Sequence, residues 1–365
     1  MFPTRSSCSP ASASTEMPAT AEVPGGAEMS DDALMCRAIA NAAEVRGSTA
    51  PNPWVGSVVV SATGGVYDGA TQPVGGPHAE RRAMTAAEAA GDSTEGATIY
   101  TTLEPCNFVG RTGACSEALI AAGVARVVVG IVDPEPKVAG SGIERLRSAG
   151  IDVTVGVESV AVTQQLRPYL HQCTTGRPWV VLKMAMTLDG RTAAPDGTSQ
   201  WITSEAARVD VHRLRARCDS ILVGAGTVRA DDPALTVRHL AGLDPQRIVL
   251  GSAAANAKVH PCWEVDGLLE DVLDELGGRG VVDLLVEGGA DVAAQFHRSG
   301  LVDEYILYVA PAMFGGDDGR PVFAGPGSGT MSDLWRGTID DVERIGDDLR
   351  ITVLAKPVLA KPVLA

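Results

Sequence analysis

Short apolar runs alternate with segments of helical periodicity through the first half of the chain. The apolar runs predict strands at residues 57–60, 97–103, 126–130 and 151–155. The periodic segments predict helices at 33–44, from 78 to about 91, from 115 onward, at 142–149 and at 159–170. Ser30 is a typical N-cap for the first helix, and Asp31 and Asp32 give it an acidic first turn. This alternation predicts an α/β fold with helices on both faces of a sheet.

The alternation resumes after a break at residues 174–178. Strands are predicted at 179–185, 221–224 and 284–287, and a helix at 290–296. The break has no apolar periodicity, and Pro178 opposes helix continuation. A length of 365 residues favours two domains. We therefore predict a tail at 1–29, a first domain at 30–173, a linker at 174–178, a second domain at 179–354 and a repetitive tail at 355–365.

The composition limits the class of protein to which this chain can belong and the compartment in which it is expected. No run of 18 apolar residues exists, so no transmembrane helix is predicted. A net charge of −15 argues against nucleic-acid binding, which depends on phosphate neutralisation by Lys and Arg. The seven cysteines are scattered, as expected in a reducing cytoplasm. The first 29 residues are rich in Ser, Pro, Ala and Thr and lack the apolar core of a signal peptide, so a disordered tail is expected.

Three residues at the strand and helix ends have the chemistry of a zinc site. His78, Cys106 and Cys115 offer one imidazole and two thiols, which suits Zn²⁺ with a fourth position left for water. Glu80 follows the histidine by two residues, and H-x-E followed by P-C and a second cysteine is the signature of zinc nucleobase deaminases, with the Glu as general acid and base. The alternative is a surface histidine with two buried thiols. The second cysteine lies nine positions after the first, so a loop at 107–114 separates these ligands.

Each of the other candidate positions allows two interpretations, a purely structural one and a ligand-binding one. Asn52 lies between two prolines and either forms a plain turn or meets a ligand. Asp133 and Pro134 follow a predicted strand, where open α/β sheets place ligands, although an ordinary loop is the alternative. Glycines at 224–226 and 288–289 lie at strand-to-helix turns that either bind phosphate or are simply tight. Neither stretch matches G-x-G-x-x-G, so a Rossmann domain is not supported.

Several motifs in one order resemble a known enzyme family. The stretches are Glu104-Pro105-Cys106, Gly110-Arg111-Thr112, Asp133-Pro134, Leu188-Asp189-Gly190-Arg191, Ser199-Gln200-Trp201, Gly226-Thr227-Val228, Asp231-Asp232-Pro233 and Val286-Glu287-Gly288-Gly289. Over roughly 30–354 the chain resembles the bifunctional riboflavin-biosynthesis deaminase–reductases. The resemblance implies a cytidine-deaminase-like three-layer α/β/α domain, followed by a dihydrofolate-reductase-like α/β domain.

The resemblance also implies reactions, cofactors and site residues. A zinc-dependent domain would deaminate a diaminopyrimidine ribosylamine phosphate, and an NADPH-dependent domain would reduce its ribosyl group to ribityl. Asn52 would contact the pyrimidine, and the loop after Asp133 would line that pocket. The residues expected at the cofactor are Ala185, Trp201, Thr227, Asp231, Ser252, Gly289, Ala290, Asp291, Val292, Ala293, Ala294 and Gln295. Those expected at the reductase substrate are Ser199, Arg215, Leu235, Arg238 and Glu287.

Two departures from the family pattern leave alternatives for substrate placement and for the role of the second domain. Phe108 stands where many relatives have a histidine, which puts substrate placement in question. After the predicted strand at 248–252 the family has a further strand, whereas residues 260–265 here are expected to pass directly to a helix. A shortened second domain would favour a monofunctional deaminase whose second half only binds or dimerises. A nucleic-acid deaminase is disfavoured by charge, and the oligomeric state stays open, a homo-oligomer included.

Overall fold

Residues 29–108 and 113–355 are described by the computed structural model, and they divide between Leu170 and His171 into two units. Apart from Met29 and Ala355, the two predicted tails lie outside the described residues, as does the middle of the loop between the two cysteine ligands. Among the described helices, none combines the length and apolar character needed to cross a membrane.

The first unit contains five strands with helices before, between and after them. Its strands are β1 (Gly56–Val60), β2 (Val66–Ala70), β3 (Thr98–Leu103), β4 (Arg126–Ile131) and β5 (Asp152–Val155). Its helices are α1 (Asp31–Val45), α2 (Ala79–Ala89), α3 (Cys115–Ala121), α4 (Ser141–Ser148) and α5 (Ser159–Gln165), and α6 (Arg167–Thr175) spans the division between the units. The sheet order is β2-β1-β3-β4-β5, with β3, β4 and β5 parallel.

Two glycines show that helices cover both faces of this sheet. A Cβ on Gly56 would lie 1.8 Å from the Ala38 carbonyl oxygen of α1, and one on Gly69 would lie 2.3 Å from the Ala79 oxygen of α2. Gly69 pairs with Ser57, the neighbour of Gly56, and successive residues of a strand face opposite sides. Helices α1 and α2 therefore pack on opposite faces, which confirms the predicted three-layer arrangement.

The first helix forms where its sequence predicts. The Ser30 side chain accepts a hydrogen bond from the Ala33 N–H, and two aspartates occupy the first turn. The helix buries Leu34, Met35 and Ala38 against the sheet. Capping and amphipathicity are both local properties, which explains why sequence predicts this element to within two residues.

The second unit is built on an eight-stranded sheet. The strands of this sheet are β6 (Trp179–Thr187), β8 (Ser220–Gly224), β9 (Gln246–Leu250), β10 (Trp263–Val265), β11 (Asp283–Val286), β12 (Glu304–Ala310), β14 (Thr338–Ile345) and β15 (Asp348–Leu354); β7 (Arg191–Ala193) and β13 (Arg320–Pro321) form a separate pair. Its helices are α7 (Glu205–Arg217), α8 (Ala225–Asp231), α9 (Leu269–Gly278) and α10 (Ala290–Arg298).

The strand order places the predicted cofactor and substrate residues of the second unit near one edge of this sheet. The order is β10-β9-β8-β11-β6-β12-β15-β14, and the first six strands run parallel. Their carboxyl ends therefore share one edge, where open α/β sheets bind ligands. Apolar clusters cover both faces, one including α9 and α10 and the other including α7.

The expectation of a missing strand is wrong. Trp263–Val265 forms β10, which pairs in parallel with β9. Only three residues long, β10 has too few positions to reveal its alternation in the sequence. The predicted linker also differs from the structure, since Thr174 and Thr175 belong to helix α6.

A buried acidic pair lies at the opposite edge of the second sheet. The Asp219 carboxylate accepts hydrogen bonds from the backbone N–H groups of Val282 (2.9 Å) and Asp283 (3.2 Å). Burial, together with the charge of Asp283, raises the pKa of Asp219 from 3.8 to about 7. The folded state therefore holds a proton on Asp219 at pH values where the unfolded chain has released it.

We expect this pair to make the second unit less stable as pH rises from about 4 to 7. Over that range the native state binds more protons than the unfolded state, so the free energy of unfolding falls with pH. Asp219→Asn keeps an oxygen for both N–H groups and cannot ionise, so in urea unfolding it should lose less stability than wild type between about pH 4 and 7. Asp317→Asn, at an exposed position, should behave as wild type does. Equal pH dependence in wild type and Asp219→Asn would refute the explanation.

Candidate functional site

The three predicted metal ligands meet in the first unit. The Nδ1 atom of His78 lies 3.5 Å from the Cys106 sulfur and 3.4 Å from the Cys115 sulfur. The three ligand atoms all lie within 4.8 Å of one another. Cys115 is buried, and His78 and Cys106 are partly buried. The structure thus brings together residues that are up to 37 positions apart.

Each ligand is held where a secondary-structure element begins or ends. His78 is the N-cap residue of α2, Cys106 follows the carboxyl end of β3, and Cys115 is the first residue of α3. The Cys115 backbone N–H donates to the Cys106 sulfur (3.4 Å), and the Ser116 N–H donates to the Cys106 carbonyl oxygen (3.1 Å). Hydrogen bonding with the Cys115 thiol is the largest influence that lowers the pKa of Cys106, towards the thiolate that binds metal.

This donor set fits zinc. Tetrahedral Zn²⁺ with Zn–S near 2.3 Å and Zn–N near 2.0 Å separates nitrogen and sulfur ligands by roughly 3.5 Å, which matches both measured distances. One imidazole and two thiolates leave a fourth position for water, as in catalytic zinc sites.

Glu80 is enclosed beside this cluster. Its side chain is 3% exposed, and it lies in the first turn of α2, two residues after His78. Burial raises the pKa of Glu80, and the nearby Cys106 raises it further. A carboxyl group with a raised pKa next to a metal site can accept a proton and return it at neutral pH.

The neighbouring candidates have distinct surroundings. Asn52 closes a turn, with its N–H donating to the Thr49 oxygen (2.9 Å), and its side-chain amide has no hydrogen bond within the described part of the chain. The two interpretations of Asn52 are therefore compatible with each other. Its backbone forms a turn, and its side-chain amide keeps its hydrogen-bonding groups for a ligand. Asp133 is buried, and its carboxylate accepts from the Tyr169 hydroxyl (3.0 Å). Phe108 is 39% exposed.

In the second unit, a buried carboxylate is flanked by two cations. Arg215 of α7 donates to Glu287 through two nitrogens at 2.7 and 3.1 Å. The Lys183 ammonium of β6 lies 3.8 Å from the same carboxylate. Burial would raise the pKa of Glu287, but the charges of Arg215 and Lys183 outweigh it and lower the pKa to about 2.

Sequence reasoning missed Lys183 as a member of this site. The available signal was a single lysine in an apolar strand, which is equally typical of a side chain whose head reaches solvent. Burial lowers the pKa of Lys183, and the charge of Arg215 lowers it further, against the opposing effect of Glu287. Two cations around one carboxylate leave an excess positive charge that favours a phosphorylated ligand.

The other predicted substrate residues are spread around this cluster. Leu235 packs its side chain in the apolar core, so only its backbone is available to a ligand. Arg238 is exposed, and its backbone N–H donates to His212 Nδ1 (3.1 Å). Burial, with the charges of Arg215 and Arg238, lowers the pKa of His212 to about 4, so a neutral imidazole accepts that bond. Ser199 is exposed and lies in the loop between β7 and α7.

Three of the predicted cofactor residues, Thr227, Ser252 and Gly289, follow the carboxyl ends of β8, β9 and β11. A Cβ on Gly289 would lie 3.7 Å from the Thr227 hydroxyl, so the two glycine turns adjoin. Helix α10 begins after Gly289 without a side-chain cap, which leaves its first N–H groups for an anion. This open, uncapped turn fits a phosphate of NADPH.

Side-chain orientation separates those residues further. Val292, Ala293 and Ala294 point into the core, so they can meet a cofactor only through backbone. Ala185 and Ala290 are partly buried, while Trp201, Asp231, Ser252, Asp291 and Gln295 are exposed. Trp201 is 68% exposed, with the Arg208 guanidinium 4.5 Å from its ring.

Two protein families match the chain in succession. Residues 29–131 match the cytidine and deoxycytidylate deaminase zinc-binding region. Residues 178–351 match the RibD C-terminal domain. The first match contains the three residues of the zinc cluster and Glu80, and the second contains Lys183, Arg215 and Glu287.

Full-length relatives and solved structures show the same two-part organisation. The riboflavin biosynthesis protein RibD of Mycobacterium tuberculosis is 42% identical over 341 residues, covering 89% of this chain and 97% of that protein. RibD of Escherichia coli is 39% identical, covering 88% and 98%. A Thermotoga maritima structure, described as a diaminohydroxyphosphoribosylaminopyrimidine deaminase/5-amino-6-(5-phosphoribosylamino)uracil reductase, superposes with a TM-score of 0.81 at 34% identity, covering 89% and 98%. The chain therefore belongs to the RibD family of bifunctional riboflavin-biosynthesis enzymes, which join a zinc-dependent deaminase to an NADPH-dependent reductase.

Proposed function

We propose that this chain catalyses two successive reactions on one small phosphorylated pyrimidine. The first unit removes an amino group from a diaminopyrimidine ribosylamine phosphate by hydrolysis. The second reduces the ribosyl group of the product to ribityl. The observation that carries the proposal is the His78, Cys106 and Cys115 cluster with Glu80 buried beside it, on the same chain as the two cations that flank Glu287.

In the deaminase unit, His78, Cys106 and Cys115 would hold zinc, and Glu80 would carry the protons. Zinc at this site supplies the Lewis acidity that makes water a nucleophile near neutral pH. Glu80 accepts one proton from the attacking water and delivers it to the ring nitrogen, and it then carries the second proton of that water to the amino group, which leaves as ammonia. Asn52 supplies the amide that contacts the pyrimidine.

In the reductase unit, the turn before α10 and the Thr227 hydroxyl would hold NADPH, which supplies the hydride. Arg215 and Lys183 keep Glu287 ionised, and the three groups form a preorganised polar wall for the sugar part of the substrate. Arg238, exposed at the same edge, is placed to meet a phosphate.

The monofunctional alternative loses its structural basis because strand β10, expected to be missing, is present. Purified protein with the deaminated intermediate and NADPH tests the choice through the absorbance of NADPH. We expect steady NADPH oxidation that depends on the intermediate. Absence of oxidation and of NADPH binding at millimolar concentration would leave only the deaminase.

The proposed partner is a small molecule in the cytoplasm. The net charge of −15 disfavours a nucleic-acid substrate, and the excess cation at Glu287 suits a phosphate ester. Competition between substrate and single-stranded nucleic acid provides a test, in which the nucleic acid should not inhibit deamination.

Neighbouring aspartates give a matched test of the cofactor edge. Asp231→Asn should raise the KM for NADPH about tenfold, because a ligand hydrogen bond to a carboxylate loses its charge. In Asp232 the carboxylate is engaged by the Lys258 N–H (2.8 Å) and ammonium (3.2 Å), so Asp232→Asn should leave that KM unchanged. Steady-state kinetics of NADPH oxidation measure both. Equal effects in the two variants would remove Asp231 from the cofactor site.

A further inference from the structure

Glu104 is a buried carboxylate next to the zinc cluster that the chemistry above does not use. It follows β3 and lies two residues before Cys106. Its side chain is 3% exposed. A buried carboxylate is costly unless several donors compensate it, so the partners of Glu104 indicate its role.

Four backbone N–H groups from one distant segment donate to this carboxylate. One oxygen accepts from Gly142 (2.8 Å) and Ile143 (3.2 Å). The other accepts from Gly140 (2.9 Å) and Asp133 (3.2 Å). These donors cover both ends of the loop between β4 and α4.

Glu104 also supplies the cap that α4 lacks. The N-cap residue of α4 is Gly140, whose φ is 88° and which has no side chain to bond the first turn. Gly142 and Ile143 are the second and third residues of that turn, where an N-cap oxygen normally accepts. The positive end of the helix dipole further favours a carboxylate there.

The same segment packs directly against the chain leading to the metal ligand. A Cβ on Gly142 would lie 2.0 Å from the Pro105 carbonyl oxygen, so backbone touches backbone immediately before Cys106. Glu104 and Gly142 thus fix the position of Cys106 relative to the loop that begins at Asp133.

We propose that Glu104 is a positioning residue for deamination, which holds zinc ligand Cys106 and the 133–140 loop in register as one unit. This inference rests on the proposed function, since that loop is taken to line the substrate pocket. Groups that orient metal ligands typically contribute 10- to 100-fold to metal affinity or activity.

Glu104→Gln tests the proposal with little change in shape. Its NH₂ group must face two N–H donors, so two of the four hydrogen bonds are lost. We expect the KM for the diaminopyrimidine substrate to rise about tenfold, with kcat per bound zinc changed less than about threefold. Zinc should pass to a colorimetric chelator about tenfold faster or more. NADPH oxidation with supplied intermediate should equal wild type.

Glu117→Gln is the matched control. Glu117 of α3 forms an ion pair with Arg145 of α4, the helix that Glu104 caps (Nε–Oε1 2.6 Å). Because this pair is exposed, neither the KM nor the rate of zinc release should change in Glu117→Gln. If Glu104→Gln does not fold, Glu104→Asp keeps both oxygens on a shorter arm and should show the same shifts to a smaller extent.

Three outcomes would overturn the proposal. The first is wild-type KM and zinc release in Glu104→Gln. The second is a lower melting temperature with wild-type KM in the folded fraction, which is the mark of a purely structural residue. The third is an equal effect in Glu117→Gln. If wild-type protein does not deaminate at all, the proposed function fails, and the zinc-release comparison still decides whether Glu104 positions Cys106.

Discussion

Glu80→Gln is expected to lower the deamination rate by ~10²- to 10⁴-fold and to leave the zinc content unchanged. The amide fills the space of the carboxyl group but cannot accept a proton from water or return one to the leaving amine. Because Glu80 is 3% exposed, bulk solvent has little access to replace it. Initial rates of amine release and metal analysis of the same preparation measure the two quantities.

The same helix offers a control. Glu88 lies on the exposed side of α2, so Glu88→Gln should deaminate as wild type does. Reduction of pre-deaminated substrate should be normal in Glu80→Gln, since that chemistry belongs to the other unit. Loss of zinc from Glu80→Gln would contradict its assignment as a proton carrier and make it a ligand.

Cys106→Ser is expected to abolish both zinc binding and deamination. A serine hydroxyl is a poor zinc ligand beside one imidazole and one thiolate, and the backbone N–H of Cys115 loses the sulfur to which it donates (3.4 Å). Wild-type protein should contain about one zinc per chain, as a three-ligand site with an open position requires. Metal analysis after dialysis and a deamination assay measure the effect.

Cys262→Ser is the control for the loss of a thiol. Cys262 lies in the second unit, with its sulfur 3.4 Å from His260, and no other candidate ligand is grouped with it among the described residues. This variant should keep zinc and deaminate normally. Zinc retained at wild-type stoichiometry in Cys106→Ser would exclude the predicted ligand set.

Local signals made the first site and most elements predictable. Ser30 and the two aspartates after it define the start of α1 through capping, which involves neighbouring residues only. The zinc ligands were predictable because donor chemistry and spacing identify them before any distance is known. The positions of the predicted strand and helix ends placed all three close together, and in the structure their ligand atoms lie within 4.8 Å of one another.

Long-range contacts were not predictable from those signals. Arg215 and Glu287 are 72 positions apart, and nothing local to either indicates a bidentate ion pair. Lys183 joins them only because β6 and β11 are neighbours in the sheet. The role of Glu104 was hidden for the same reason, since its four donors are backbone groups 29 to 39 positions away.

Short elements also escaped prediction. Strand β10 has three residues, fewer than the four to eight over which alternation is informative. The expectation that this strand is missing is the main argument for a shortened second domain. One short strand therefore decides between a monofunctional deaminase and an enzyme with two activities. The individual cofactor and substrate contacts of the second unit stay predictions, to be tested residue by residue.

The most direct test of one chain with two activities begins from the substrate that still carries both amino groups. Purified protein with zinc is incubated with the diaminopyrimidine ribosylamine phosphate, with and without NADPH, and the products are identified by mass spectrometry. We predict the deaminated ribosyl compound without NADPH, and with NADPH the deaminated compound that has gained two hydrogens, with one NADPH consumed per product. Accumulation of the deaminated ribosyl compound in both reactions, with NADPH unconsumed, would contradict the account.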